Sequence, residues 1–158
     1  MFRDVVRKKQ ALTREECLAV LSAVPRGVLA VQGDDGYPYA VPTNHYYDAE
    51  TGLLLFHSGK SGHKVDAFCN SDKVSYCVTD EGTRMEGDWA KTYRSVIVFG
   101  RVEIVDDYRR AMDMVRRLSL QFTGDTDYIE YEIERFGEET LVFAIVPEHI
   151  TGKTIREA

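Results

Sequence analysis

Residues 27–47 read Gly-Val-Leu-Ala-Val-Gln-Gly-Asp-Asp-Gly-Tyr-Pro-Tyr-Ala-Val-Pro-Thr-Asn-His-Tyr-Tyr. Gly27–Gln32 is an apolar run of strand length, and Gly33-Asp34-Asp35-Gly36 has the residues of a tight hairpin turn. Tyr37–Tyr47 resumes extended structure and is interrupted by Pro38 and Pro42. A second turn over Asp48–Gly52 leads into a third strand, Leu53–Ser58. Strands joined this closely form an antiparallel meander, because a parallel pair needs a crossover of a dozen residues or more.

The flanking segments fit the same plan. Upstream, Thr13 and Glu16 have the spacing of a capping box. Cys17, Val20, Leu21 and Val24 then mark one buried helix face, with Pro25 beyond its end. Downstream, a short helix is expected over Ser61–Asn70, with Val65 and Phe68 or Cys69 turned inward. Lys73–Thr79 alternates as a strand, and Tyr93–Val105 is a long strand with Gly100 at a bulge or bend. Tyr108, Ala111, Met112, Val115, Leu118 and Phe122 mark an amphipathic helix that begins near Asp106 or Asp107. A shorter helix is expected over Asp127–Arg135, then a last strand over Leu141–Val146, whose regular pairing Pro147 is expected to stop. The expected fold is an antiparallel β-barrel of the α+β kind, mainly β with peripheral helices, in one domain over residues 1–158. A doubly wound fold is disfavoured, because helices do not alternate with strands.

Composition narrows the function classes. The chain has 20 Lys and Arg against 26 Asp and Glu, a formal charge of −6, which argues against wholesale nucleic-acid binding. The acidity is local: Asp125–Glu139 holds seven acids and one base, Arg135, so the remainder is neutral overall. That segment reads as a solvated helical face, with an interface role as the alternative. Basic spots at Arg3–Lys9 and Lys60–Lys64 leave room for an anionic ligand. Three cysteines with no C-x-x-C pair fit a reduced, cytoplasmic setting. No apolar run reaches membrane-spanning length, and residues 1–10 have no apolar signal core.

Two stretches carry candidate chemistry. In Phe56-His57-Ser58-Gly59-Lys60-Ser61-Gly62-His63-Lys64 a strand passes two glycines into a helix start, where free N–H groups attract an anion. Ser58 or Ser61, with His63 and Lys64, completes a phosphate cradle; the same residues also read as an ordinary solvated turn. A nucleotide P-loop is excluded, since Leu54 stands where its first glycine belongs. In Tyr37–Tyr47 the prolines imply an edge strand or an irregular segment. Its unpaired backbone groups, with Thr43 and Asn44, suit the rim of a planar heterocycle, and the prolines alone also serve to protect an edge. His45, His57, His63 and His149 match no zinc spacing, so no metal site is expected. Trp89 and Tyr93 suit either aromatic stacking or loop packing.

Together, several motifs resemble a known family. Leu29-Ala30-Val31 followed by Asp35–Pro42 is similar to the opening of flavin-binding split barrels, the pyridoxamine 5′-phosphate oxidase-like proteins. Within them the closer likeness is to the nitroimidazole-resistance reductase branch. Phe56-His57-Ser58 with Gly62-His63-Lys64 resembles its phosphate segment, Tyr93–Val102 its long central strand, Ile150-Thr151-Gly152-Lys153 its C-terminal signature, and Arg3–Gln10 its basic N-terminus.

The resemblance implies a homodimer with FMN at the subunit interface. The backbone of Val41, Pro42, Thr43 and Asn44 would meet the isoalloxazine edge. His57 and Ser58 would follow the ribityl chain, and Ser61, Gly62, His63 and Lys64 would hold the phosphate. Arg94 and Ser95 would approach the flavin, often from the partner subunit. The implied activity is an FMN-dependent reductase that takes electrons from NADH or NADPH, which binds transiently because no G-x-G-x-x-G motif exists. His57 or His45 would relay a proton to a small-molecule substrate. The alternatives are a non-enzymatic flavin- or haem-binding barrel and a deazaflavin enzyme. Vitamin B6 oxidation is disfavoured: the chain lacks the Trp- and Arg-bearing tail of the oxidases proper, and Ser95 stands where they carry glutamine.

Overall fold

Two sequence-adjacent strands lie at opposite edges of one sheet, and this sets the architecture. The computed structural model describes residues 1–157. In chain order the elements are α1 (Arg14–Ala23), β1 (Arg26–Gln32), β2 (Pro38–Asn44), β3 (Tyr46–Asp48), β4 (Leu53–Gly59), α2 (His63–Asn70), β5 (Lys73–Thr79), β6 (Thr83–Arg84), β7 (Lys91–Ile104), α3 (Tyr108–Ser119), α4 (Thr126–Phe136) and β8 (Thr140–Arg156). The strand order is β2-β1-β5-β7-β8-β4-β3, with β6 on β7, and every pairing is antiparallel. Only His45 separates β2 from β3, so the sheet curls until its two ends nearly meet. This is the expected split β-barrel of the α+β class.

The barrel interior is filled by inward residues of β1, β5 and β7 (Leu29, Val31, Val74, Tyr76, Val78, Val96, Val98) and capped by α1 through Cys17, Val20 and Leu21. The capping box is present: Glu16 N–H donates to Thr13 Oγ1 at 3.2 Å, and Thr13 N–H donates to Glu16 Oε2 at 2.7 Å. A second core lies outside the barrel, where α3 and α4 cover β4 and β8 with Met112, Met114, Ile129 and Ile133 on Leu55, Val142 and Ala144. β4 and β8 are therefore buried on both faces, and both read as unbroken apolar runs at Leu54–Phe56 and Val142–Ile145.

Several sequence expectations shift. The break in Tyr37–Tyr47 falls at His45 rather than at a proline. α2 begins at His63, not Ser61, and its deepest residue is Ala67; Phe68 packs on the core, Val65 is half-buried and Cys69 is exposed. α3 ends at Ser119, leaving Phe122 in the connector to α4. Pro147 does not end β8, which runs to Arg156. The register with β7 shifts between Phe99 and Gly100, leaving Glu148 as the extra residue, so the proline sits at the bulge that Gly100 announced. A Cβ on Gly100 would collide with the Val146 carbonyl.

His45 pins the closure. Its N–H donates to Pro25 O at 2.8 Å, and its own carbonyl accepts from Gln121 Nε2 at 2.9 Å. Its fully buried ring places Nε2 2.8 Å from Leu21 O and Nδ1 2.9 Å from the Tyr76 hydroxyl. A carbonyl can only accept, so Nε2 carries the ring proton and Nδ1 accepts from Tyr76. The phenol reaches this point over Gly27, where a Cβ would lie 2.7 Å from Tyr76 Cζ.

Burial pushes the His45 pKa down to about 4, with the Leu21 hydrogen bond opposing it. The unfolded chain therefore binds the extra proton first. Stability is fully present above about pH 6.5 and falls by roughly 3 kcal/mol as pH drops toward 4. Urea unfolding across pH 4–7.5 is expected to show this loss. His45→Asn should remove that component and lower stability at pH 7.5 by about 2–4 kcal/mol, because it leaves buried partners unsatisfied.

Candidate functional site

The open seam is where the candidate residues gather. Extending the β3–β4 register two positions past Tyr46↔Leu55 sets Asn44 opposite His57, and both line one cleft of about 350 Å³. The cleft is roofed by α3, α4 and their connector, with Phe122, Tyr128 and Phe136 on its wall. Its size is within the usual range for small-molecule sites. Asn44 Oδ1 accepts from Arg26 Nε at 2.8 Å, which orients the amide.

His57 is solvent-accessible in this concave setting. The protein that displaces water around it, and then the charge of Lys64, lower its pKa, so the imidazole is neutral near pH 7. Partial burial lowers the Lys64 pKa as well.

The segment between β4 and α2 is open. Gly59 and Gly62 have free space where a Cβ would lie, and Gly62 has φ +120, in the region that favours glycine. Gly62 precedes α2 without a side-chain cap; the Val65 and Asp66 N–H groups donate to the Gly62 carbonyl at 2.8 and 3.1 Å, which leaves those of His63 and Lys64 available to an anion. Ser61 is exposed beside them and Lys64 sits in the first turn. This donor set fits a phosphate group. Ser58 Oγ donates to the Gly59 carbonyl at 2.9 Å. His63 bends toward the β1–β2 hairpin instead, stacking on Tyr39 at 4.1 Å with Nε2 3.5 Å from Asp34.

Val41, Pro42 and Thr43 lie on the edge strand β2, as the prolines implied. The Thr43 carbonyl is 3.1 Å from the Tyr76 hydroxyl. His45, a sequence candidate for proton relay, is instead a core residue with both ring nitrogens engaged and no exposed surface. Arg94 and Ser95 are not brought to the cleft. Arg94 Nε donates to Asp80 at 2.8 Å, and Ser95 lines a separate groove beneath residues 1–7. Asn44 pairs with Arg26, and the β1–β5 and β5–β7 registers carry that row on to Thr79 and Ser95, so β1 and β5 stand between Ser95 and the cleft residue Asn44, roughly 14 Å across three strand spacings.

Sequence reasoning missed the helical roof. The acidic segment reads as a solvated helical face, with an interface as the alternative, yet α4 buries Ile129 and Ile133 and presents Tyr128, Glu132 and Phe136 to the cleft. The apolar spacing Ile129–Ile133–Phe136 was the available signal. Among the described residues no cluster of His, Cys, Asp and Glu suits a metal ion, and no helix is long and apolar enough to cross a membrane.

A split barrel with an open seam, an uncapped helix start and a roofed cleft defines a class of small-molecule-binding fold. The chain belongs to the pyridoxamine 5′-phosphate oxidase family, whose profile matches residues 13–154. Its fold is similar to that of a Bacteroides thetaiotaomicron protein described as a 5-nitroimidazole antibiotic resistance protein, with TM-score 0.75 and 17% identity over 92% of this chain and 87% of that one. A conserved hypothetical protein of Mycobacterium tuberculosis has TM-score 0.78 and 18% identity, over 96% and 90% of the two chains. A FAD-binding protein of Mesorhizobium loti has TM-score 0.66 and 24% identity, over 92% and 97%. No curated protein matches the sequence.

The proximity of Lys64 and His57 is testable without any ligand. Removing the positive charge in Lys64→Gln should raise the His57 pKa, while burial still holds it below the ordinary value. Imidazole NMR titration of the two proteins checks this, and an unchanged pKa would place Lys64 farther from the ring.

Proposed function

We propose that the chain is an FMN-dependent reductase of the nitroimidazole-reductase type, with NADH or NADPH as transient electron donor. The observation that carries this reading is the convergence at one seam of an unpaired strand edge, His57 and an uncapped, lysine-bearing helix start. FMN bound there supplies the electron transfer, which no side chain provides. The chain's part is to bind and orient. Lys64, Ser61 and the backbone at Gly62–His63 hold the phosphate by charge-assisted hydrogen bonds. The backbone of Val41–Asn44 faces the ring edge, and Ser58 lies along the connecting chain. His57, neutral near pH 7, offers an N–H to a substrate in the cleft.

A homodimer completes this reading. The outward face of β1, β5, β7 and β8 has the register row Val28–Cys77–Ile97–Thr151, and Val28 and Ile97 are 40% and 36% exposed. Pairing of this face between two copies would let Arg94 and Ser95 of one protomer serve the seam of its partner, which they do not reach in their own chain.

Purified protein is expected to be yellow or to take up FMN with a flavin absorption spectrum; protein that stays colourless after incubation with FMN sinks the proposal. Lys64→Ala should weaken FMN binding by roughly 1.5–3 kcal/mol, about ten- to a hundredfold in Kd, read by flavin fluorescence. Ile97→Asp should convert a dimer to a monomer in light scattering. A monomeric wild type, or a dimer that survives the substitution, would move the interface elsewhere.

A further inference from the structure

The cleft beneath α3 and α4 has one acidic side chain on its wall and no lysine or arginine. That acid is Glu132; the imidazole of His57, which also lines the cleft, is held neutral near pH 7 by its lowered pKa. Glu132 is half-buried. Its neighbour Glu130 is taken up by Arg116, with 2.7 Å from Nη2 to Oε2, whereas Glu132 has no ion-pair partner among the described residues. The nearest base in sequence, Arg135, donates to the Tyr131 hydroxyl at 2.7 Å and lies 5.1 Å over the Phe136 ring. Lys64 is not among the wall residues, and its charge acts on His57.

The remaining wall is aromatic and aliphatic. Phe122, Tyr128 and Phe136 are each large, partly exposed and turned to the same space. Such a surface stacks a flat ring, and a carboxylate at its edge attracts a positive nitrogen. An anion placed there would meet Glu132 with no compensating cation in the wall, in surroundings where charges are poorly screened.

We propose that this cleft takes a flat aromatic molecule bearing a cationic nitrogen and no anionic group, with Glu132 as the residue that selects its charge. As the substrate site of a flavin enzyme the assignment rests on the reductase reading above; as a ligand cleft it stands on its own geometry. It also separates this chain's substrate from phosphorylated pyridoxine-type compounds, whose anionic group the cleft disfavours.

Three probes of one shape test it: N-methylquinolinium, quinoline and quinoline-2-carboxylate, titrated by calorimetry into the protein before and after incubation with FMN. N-methylquinolinium should bind at least about tenfold tighter than the carboxylate. Glu132→Gln should weaken the quinolinium about tenfold and leave quinoline within about twofold. Glu132→Asp, which keeps the charge, should retain the preference. Equal or tighter binding of the anion, a preference that survives Glu132→Gln, or binding of none of the three would overturn the assignment. FMN uptake is read separately by absorbance. Charge selection without FMN uptake removes the reductase reading alone, and FMN uptake without charge selection removes the cleft assignment alone.

Discussion

The structure depends on the anchoring of His45. β2 and β3 are consecutive in the chain but occupy opposite edges of the sheet, so the whole curl closes across one residue. At that residue all four polar groups are engaged, with Pro25 and Leu21 at the end of α1, with Tyr76 on β5, and with Gln121 after α3. Buried polar groups are costly only when unpaired, so a fully paired histidine sets direction where an apolar residue would set only volume. The small size of Gly27 belongs to the same arrangement, because the Tyr76 phenol passes over it.

The candidate site follows from how this closure is incomplete. Beyond His45 the chain leaves β4 and pairs with β1 instead, so Asn44 and His57 face each other without a ladder between them. An open seam exposes backbone groups that need partners from a ligand or water. α3 and α4 cover the outer faces of β4 and β8 just beside it, which makes a roof of the two α-helices that follow the long strand β7 among the described residues. The same packing that buries β8 on both faces therefore also builds a cleft at the rim of the seam.

Much of this was legible from residues. Strand positions, the capping box, the bulge near Gly100 and the open segment before α2 all follow from local chemistry that acts over a few residues. What was not legible depended on pairing at a distance. Nothing near Pro147 shows that β7 is long enough to carry β8 past it, so a strand end was expected where a bulge lies. Nothing near His45 shows that Tyr76 and Leu21, far away in sequence, converge on its ring, so a buried pin read as a candidate proton relay. Arg94 and Ser95 were expected beside the other site residues through family likeness, and β1 and β5 stand between them and β2 within one chain.

The acidic stretch Asp125–Glu139 shows how charge and periodicity must be read together. Counted as charge it describes a solvated surface, and it accounts for the whole −6 of the chain. Counted at helical spacing it holds Ile129, Ile133 and Phe136 on one side, which lets α4 pack inward and carry Glu132 to the edge of the buried face. A carboxylate in that position differs from its neighbours on the exposed side. Solvent screens those, whereas Glu132 acts across an apolar cleft where its field is less attenuated. The net acidity that disfavours nucleic acid thus has one member placed to distinguish small molecules by charge, while Ser61–Lys64, at the start of α2, belong to a different part of the chain from that acidic stretch.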